Sequence, residues 1–339
     1  MTKYVIFIGI DISKQWFDAA LYCSGLEGTY PSRRFDNNQK GFAAFVQWVN
    51  RQATRHKVKG PWYVCMEHTG IYGLGLAHFL EGRQIKVVME CPLRIERSLG
   101  LRRGKTDSID AIGITTYAYE KHSKIKVRPL PSPLLLEVQT LLSLRYRLQR
   151  YQHGLNVAAN ELDGFIEQPI SSAIVQHTLV VSTTMKDQIN VVDQRIQQLL
   201  WSDPQLKKLY QLIISVVGIG PLITAYMIVY TNGFIAFEKS RQFCCYIGIA
   251  PFPNSSGTSV RRPDQVSYLA NRRLKALIST AATVAVTHDP QIRQFFKNKK
   301  AMGKDDGWIY NAVKNKIVHR IFAVVKRGTP YVKMAGHMS

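Results

Sequence analysis

The chain has 339 residues and carries 45 Lys and Arg against 23 Asp and Glu, which gives a formal net charge of +22. Hydrophobic residues make up 46% of it and charged residues 20%, a composition typical of a globular protein and too apolar for a disordered one. The excess of positive charge favours a polyanionic partner, although a basic ribosomal or membrane-surface protein would share it.

Cysteine usage and hydropathy restrict the class of protein further. The five cysteines form no C-x-x-C pair and no zinc-ligand spacing, so we expect reduced, packed thiols in a cytosolic protein. Residues 209–237 carry no charged side chain and are long enough to span a bilayer. The break at Gly218-Ile219-Gly220-Pro221 instead predicts two short buried helices and no membrane contact.

The first 125 residues predict an alternating α/β domain. Strands are expected at 4–11, 16–23 and 28–36, and an amphipathic helix follows Asn38. A strand at 61–67, a helix at 72–82, a strand at 84–90 and a helix that begins near Asp107 complete the pattern. Three consecutive strands followed by strand–helix alternation are typical of a ribonuclease-H-like domain with a mixed sheet.

The rest of the chain is predicted to be mostly helical. Apolar residues recur at helical spacing from about 131 to 205, and Pro169 separates two runs. This pattern predicts a helical hairpin, or a dimerising coiled coil, in a linker domain at 126–205. Residues 206–339 are expected to form a second, mostly α-helical globular domain with a Ser-rich loop at 254–259 and a basic C-terminal segment.

Four acidic residues stand where ordinary surface carboxylates are uncommon. Asp11 ends the first apolar run, and Glu67 ends a later one. Asp107 and Asp110 are three residues apart, so a helix places both on one face. In a ribonuclease-H-like sheet the ends of the first and fourth strands and a later helix converge on one point, so we expect the four carboxylates to lie together.

Carboxylates that lie this close repel one another unless cations neutralise them. An all-oxygen site suits Mg²⁺, and Mn²⁺ is expected to substitute for it. Two such ions about 3.5–4 Å apart would activate a nucleophile and stabilise the leaving oxygen of a phosphodiester. The four acids therefore predict metal-dependent phosphoryl-transfer chemistry.

The Ser-rich segment at 254–259 offers a hydroxyl nucleophile. Clusters of Ser, Gly and Asn are most often simple turns. Here Arg261 and Arg262 follow closely, and they would hold a phosphate while a serine hydroxyl attacks it.

Two further segments are candidates for contact with nucleic acid. Gly218 and Gly220 fit a helix-hairpin-helix, in which backbone N–H groups meet phosphate, and they fit a tight turn between helices equally well. Arg102, Arg103 and Lys105 precede the acidic helix and are expected to position a phosphate backbone, the alternative being a solvated loop.

Together these segments resemble the DEDD transposases and the pilin-gene-inverting site-specific recombinases. The matching blocks run in order through the whole chain: Ile8-Gly9-Ile10-Asp11 with Lys14, Glu67-x-Thr69-Gly70-x-Tyr72, Lys105-Thr106-Asp107-x-x-Asp110-Ala111, Gly218-Ile219-Gly220, Gly248-x-x-Pro251 with Ser256-Gly257, and Asn271-Arg272-Arg273-Leu274. The chain departs from the family at Tyr268 and Ala270, where a basic residue and a glycine are usual, and at Phe252, where an arginine is common.

The resemblance implies an N-terminal domain like the RuvC Holliday-junction resolvase, whose four acids bind Mg²⁺. It implies a C-terminal transposase domain in which Ser256 forms a covalent phosphoserine link with DNA. It also implies homodimers or homotetramers, in which one subunit's acids meet another's serine, and in several members a structured non-coding guide RNA. We expect Arg272 and Arg273, in the last matching block, to contact nucleic acid.

Three other functions fit parts of the pattern. A structure-specific or Holliday-junction endonuclease would use the acids with water as the nucleophile. An actin-like ATPase or sugar kinase would share the first strand, but the Gly/Thr-rich turn that such a site needs after Asp11 is missing. A nucleic-acid-binding protein without catalysis would account for the charge and leave the placement of the acids unexplained.

Overall fold

A computed structural model describes residues 4–23, 30–68, 70–100, 106–125, 127–162, 165–256, 260–266 and 270–332. At 253–256 and 260–265 the description covers the backbone alone. The chain forms two compact units, Met1–Leu130 and Pro131–Ser339. The three-domain division at 125 and 205 stays a prediction.

The N-terminal unit is built on a five-stranded mixed sheet with the order β3-β2-β1-β4-β5. Strands β1 to β3 pair antiparallel, and β4 and β5 join β1 in parallel. The strands are β1 (Ile6–Ile12), β2 (Trp16–Cys23), β3 (Ser32–Asp36), β4 (Trp62–Glu67) and β5 (Lys86–Glu90). This strand order is that of the ribonuclease-H-like fold, so the predicted fold class is confirmed.

Helices cover both faces of this sheet. They are α1 (Gln39–Arg55), α2 (Leu74–Glu81), α3 (Pro92–Ser98) and α4 (Asp107–Lys121). One apolar cluster joins the β1 residues Ile8 and Ile10 to α1 and α2, and a second joins Phe7 of the same strand to α3 and α4. Because successive strand residues point to opposite faces, β1 is buried on both sides and its sequence is almost continuously apolar.

Helix α4 lies unusually close to the central strand. The Gly9 amide of β1 donates a hydrogen bond to the Thr115 hydroxyl of α4 at 3.0 Å. The same hydroxyl lies 3.0 Å from the Ala20 carbonyl oxygen of β2 and 2.9 Å from that of Ala111. A Cβ on Gly9 would overlap the Thr115 amide nitrogen, so glycine is required for this approach.

The C-terminal unit is mostly helical, as predicted. Its helices are α5 (Pro133–Glu161), α6 (Gln168–Ser202), α7 (Pro204–Ile214), α8 (Pro221–Tyr230), α9 (Ser240–Tyr246), α10 (Arg272–His288), α11 (Pro290–Ala301) and α12 (Asp306–Arg327). Helices α5 and α6 form the predicted hairpin, and Arg145 crosses it to bind Asp193 at 2.6 Å. The start of α5 and the end of α6 share one apolar core with the helices that follow them.

The uncharged stretch at 209–237 folds as two short helices. Helix α7 ends at Ile214 and α8 begins at Pro221, so the glycine hairpin separates them as the sequence predicts. Within the described ranges, no helix is both long and apolar enough to cross a membrane.

The segment at 254–259, predicted as a loop, lies partly in a β-hairpin. Strand β6 (Pro251–Ser256) pairs antiparallel with β7 (Val260–Val266), and residues 257–259 between them lie outside the described residues. Prolines 251, 253 and 263 argue against strands in the sequence, but both strands of a two-stranded sheet are edges, where a missing N–H is tolerated. The register shifts between Phe252 and Asn254, next to Pro253.

We expect Gly9→Ala to destabilise the protein by about 2–3 kcal/mol, because the new methyl group has to push α4 away from the sheet. Gly75→Ala is the matched control, since its Cβ would meet only the Phe42 ring at ordinary contact distance, 3.6 Å. Urea unfolding of both variants measures the difference, and equal stabilities would contradict the proposed close contact.

Candidate active site

Five charged side chains form a row across the face of the sheet that α4 covers. In the strand register Arg34 pairs with Asp18, Asp18 with Asp11, and Glu67 with Glu90. Strands β1 and β4 pair in parallel up to the positions just before Asp11 and Glu67, so these two residues end adjacent strands. One row therefore holds four carboxylates, of which the sequence pattern identified two.

Helix α4 brings the other two predicted acids to this row. Thr106 caps the helix, its hydroxyl accepting a hydrogen bond from the Ile109 amide at 3.3 Å, so Asp107 and Asp110 lie in the first turn. Negative charge is favoured there by the helix dipole. The Gly9–Thr115 contact fixes the helix against β1, the strand that carries Asp11.

Asp11 is partly buried, and its pKa is raised. Burial raises the pKa of the Asp11 carboxyl to about 6, and repulsion by Glu67, Asp110, Asp107 and Asp18 adds to the shift. The part that repulsion contributes is what a bound cation would remove. All of these donors are carboxylate oxygens, the ligand type that Mg²⁺ prefers.

The four predicted acids lie on adjoining elements of the N-terminal unit. Among the residues that the structure describes, no group of three or more His, Cys, Asp or Glu is arranged to hold a metal ion. The Asp107 carboxylate accepts a hydrogen bond from Arg34 at 2.7 Å. The chemistry of the donor set, all carboxylate oxygens, fits a divalent ion.

Two acids of the row, Asp18 and Glu90, were missed by the sequence analysis. Asp18 is 7% exposed and pairs with Arg34, while Glu90 is 7% exposed and accepts a hydrogen bond from the Tyr117 hydroxyl at 3.0 Å. Glu90 ends the apolar run of β5 as Glu67 ends that of β4, so the same signal was present. Asp18 lies inside a strand, and only the register with β1 reveals its position.

The candidate nucleophile lies in the C-terminal unit. Ser256 is the last residue of β6, and its backbone pairs with Val260 of β7. Arg261 and Arg262 follow on β7, with Arg261 opposite Ser255 and Arg262 opposite Asn254. The side chains of Ser256 and of both arginines lie outside the described residues, so their contact with phosphate stays a prediction.

The glycine hairpin has a packing role. Gly218 has a positive φ of 91°, and a Cβ there would overlap the Ala281 carbonyl oxygen of α10. Gly220 is the N-cap of α8, with open space where its Cβ would be. The close approach to α10 explains the first glycine, and contact of either with nucleic acid stays a prediction.

The other residues predicted to contact nucleic acid differ in their surroundings. Arg272 begins α10 and is exposed, whereas Arg273 stacks on the Tyr146 ring at 4.1 Å and lies 5.8 Å from that of Tyr226. Arg273 thus joins α10 to α5 and α8. Three other predicted contacts, Arg102, Arg103 and Lys105, lie outside the described residues. Of the positions that depart from the family pattern, Tyr268 also lies outside them, Phe252 is exposed and Ala270 is half-buried.

Comparison with known proteins agrees with this arrangement. A family model described as a transposase of the DEDD, IS110 type matches residues 8–156, and the model of the IS116/IS110/IS902 transposase family matches residues 210–297. Together the two matched segments take in more than half of the chain and include the four acids and Ser256.

Individual proteins resemble it over different lengths. The pilin gene-inverting proteins of Moraxella lacunata and Moraxella bovis are each 27% identical over 331 residues, covering 96% of this chain and 98% of theirs. An uncharacterised 43.6 kDa protein of insertion element IS110 from Streptomyces coelicolor is 26% identical over 149 residues, covering 44% of this chain and 36% of its own length.

Among solved structures, Thermus thermophilus RuvC in complex with a Holliday junction substrate matches 38% of this chain and 100% of its own. The sequence identity is 10% and the TM-score 0.28. The strand order, rather than this weak resemblance, identifies the N-terminal fold. The two family models, with relatives aligned along nearly the whole length, place the chain in the IS116/IS110/IS902 family of transposases.

Proposed function

We propose that the protein is a DNA recombinase that cuts and rejoins DNA through a covalent phosphoserine intermediate, with Mg²⁺ bound by Asp11, Glu67, Asp107 and Asp110. The family supports action on DNA, and the relatives aligned over most of the chain are named for inverting a pilin gene. The observation that carries the metal site is the placement of Asp11 and Glu67 at the ends of adjacent strands, with Asp107 and Asp110 in the first turn of the helix packed on that sheet. Burial, with repulsion by the neighbouring acids, raises the pKa of Asp11 to about 6.

Each residue has a separate task in this proposal. The metal, when bound, activates the attacking oxygen and stabilises the leaving one. Ser256 Oγ gives up its proton and bonds to phosphorus, one bond from phosphorus to a deoxyribose oxygen breaks, and that oxygen takes up a proton and leaves as a hydroxyl, so bonds and protons balance. Arg261 and Arg262, on the strand that pairs with the strand of the serine, hold the phosphate in this proposal.

The partners follow from the same proposal. A net charge of +22 suits a chain that captures polyanions, and we include a structured guide RNA besides the DNA ends and target. RNA copurifying with the protein is therefore retained in the first test.

Ser256→Ala is expected to abolish the covalent link between protein and DNA. Wild-type protein, incubated with Mg²⁺, labelled element-end DNA and its copurified RNA, should give a slow-migrating adduct on a denaturing gel. Ser255→Ala is the control, because it removes a neighbouring hydroxyl from the same strand. Cut DNA without an adduct in all three proteins would support an endonuclease that uses water and would overturn the serine mechanism.

Asp11→Asn tests the metal site through stability. Because the pKa of Asp11 is raised on folding, its ionisation disfavours the folded state. This penalty is absent below its unfolded pKa near 4 and complete above about 6. Without metal, the variant should therefore melt about 2–6 °C above wild type at pH 8 and near wild type at pH 4.

Thermal unfolding at pH 4–8, with EDTA and with Mg²⁺, measures the difference in Tm between Asp11→Asn and wild type. Mg²⁺ should raise the Tm of wild type at pH 8 and leave that of Asp11→Asn unchanged. Asp36→Asn, at the exposed end of β3, is the control for loss of a negative charge on the same sheet. A pH-independent difference between Asp11→Asn and wild type would contradict the convergence of acids.

We also propose that the α5–α6 hairpin joins two copies of the chain. Large apolar side chains are exposed at and near its tip: Phe165, between the two helices, at 90%, and Leu179 at 62% and Val180 at 67% on α6. Large exposed apolar side chains concentrated in one segment are typical of an interface between proteins. A second copy of the same hairpin presents a matching apolar surface, as a two-fold interface requires.

Leu179→Asp combined with Val180→Asp should convert the dimer to a monomer, because it places charge in the proposed interface. Sedimentation equilibrium measures the mass, with Thr183→Asp, an exposed polar position on the same helix, as the control. A wild-type monomer, or a double variant with unchanged mass, would rule out this interface.

A further inference from the structure

One arginine bridges a strand acid and a helix acid beside the proposed metal site. Arg34 donates to Asp18 from Nε at 3.0 Å and from Nη2 at 2.9 Å, and its Nη2 also donates to Asp107 at 2.7 Å. The row therefore ends, on the β3 side, in a cation shared by two carboxylates.

The two halves of this bridge differ in strength. The Asp18 side chain is 10% exposed, and it holds the guanidinium through two nitrogen atoms. The Trp16 ring lies 5.0 Å from the same guanidinium. The pair with Asp107 instead uses one nitrogen between side chains that are 52% and 53% exposed. Such exposed pairs contribute little free energy, so Asp107 is the partner that exchanges.

Asp107 is also one of the proposed metal ligands. It is one of the four acids to which the proposed function assigns the metal, and in the structure Arg34 holds its carboxylate. A carboxylate oxygen bonded to a guanidinium at 2.7 Å has to give up that bond, or share it, to bind an ion.

We infer that Arg34, anchored on Asp18, is a positioning residue that holds Asp107 in the metal-free protein and competes with the divalent ion for it. This inference rests on the proposed metal site and adds two residues to it. Metal binding moves Asp107 from Arg34 to the ion, while Arg34 stays on Asp18. The bridge keeps the first turn of α4 in place before the metal arrives, at the expense of metal affinity.

Calorimetric titration of the full-length protein with Mn²⁺ tests this without any measure of activity. Arg34→Gln should tighten Mn²⁺ binding about threefold to tenfold, because it frees Asp107 and removes a neighbouring positive charge. Arg33→Gln is the matched control. It removes the same charge from the adjacent residue, whose guanidinium lies over the Phe35 ring, and should leave the Kd within about twofold of wild type.

A double variant separates competition from a general effect of charge. Arg34→Gln with Asp18→Asn leaves the net charge unchanged and does not bury an unpaired Asp18, so it also guards against misfolding of the single variant. If Arg34 competes for Asp107, the double variant still binds Mn²⁺ more tightly than wild type. A Kd equal to or weaker than that of wild type, in either variant, overturns the inference. Failure of wild type itself to bind Mn²⁺ would overturn the proposed metal site instead.

Discussion

The buried hydroxyl of Thr115 determines where the site is built. It accepts a hydrogen bond from the Gly9 amide and lies close to the Ala20 and Ala111 carbonyl oxygens, so one side chain connects α4 with β1 and β2. A helix rises a fixed 1.5 Å per residue, so anchoring it at Thr115 also fixes its first turn, where Asp107 lies. On β1, Asp11 is two residues beyond Gly9 on the same face. A contact between uncharged residues thus sets the separation of the strand and helix acids.

The charge compensation along the row is uneven. At one end Arg34 neutralises the buried Asp18, and at the other Tyr117 donates to Glu90 at 3.0 Å and Arg94 lies 3.6 Å from it. In the middle, the pKa of Asp11 is raised to about 6 by burial and by its acidic neighbours. A protein with almost twice as many basic as acidic residues thus places a strongly negative centre between two compensated ends. In the proposed function such a centre holds a cation, and the net positive charge of the chain favours a phosphate backbone as partner.

The sequence was sufficient to predict the parts that depend on local pattern. Two apolar runs of the N-terminal sheet ended at the acids Asp11 and Glu67, the helix after Asn38 had its cap, and the break at Gly218 marked the ends of two helices. The features that the sequence did not reveal depend on the pairing of one strand with another. Asp18 is an acid within a buried strand, and its relation to Asp11 follows only from the antiparallel register. The hairpin of β6 and β7 was missed because its prolines suppress the strand signal that backbone pairing restores.

The identity of residue 34 follows from the task that the fold gives it. Six acids, Asp11, Asp18, Glu67, Glu90, Asp107 and Asp110, have to fold near one another before any metal is present. A lysine at position 34 would supply the same charge from one atom. The flat guanidinium instead holds Asp18 through two nitrogen atoms while one of them also reaches Asp107. In the competition that we infer, the Asp18 contacts persist when Asp107 binds the ion, so an arginine suits the site both without and with the metal.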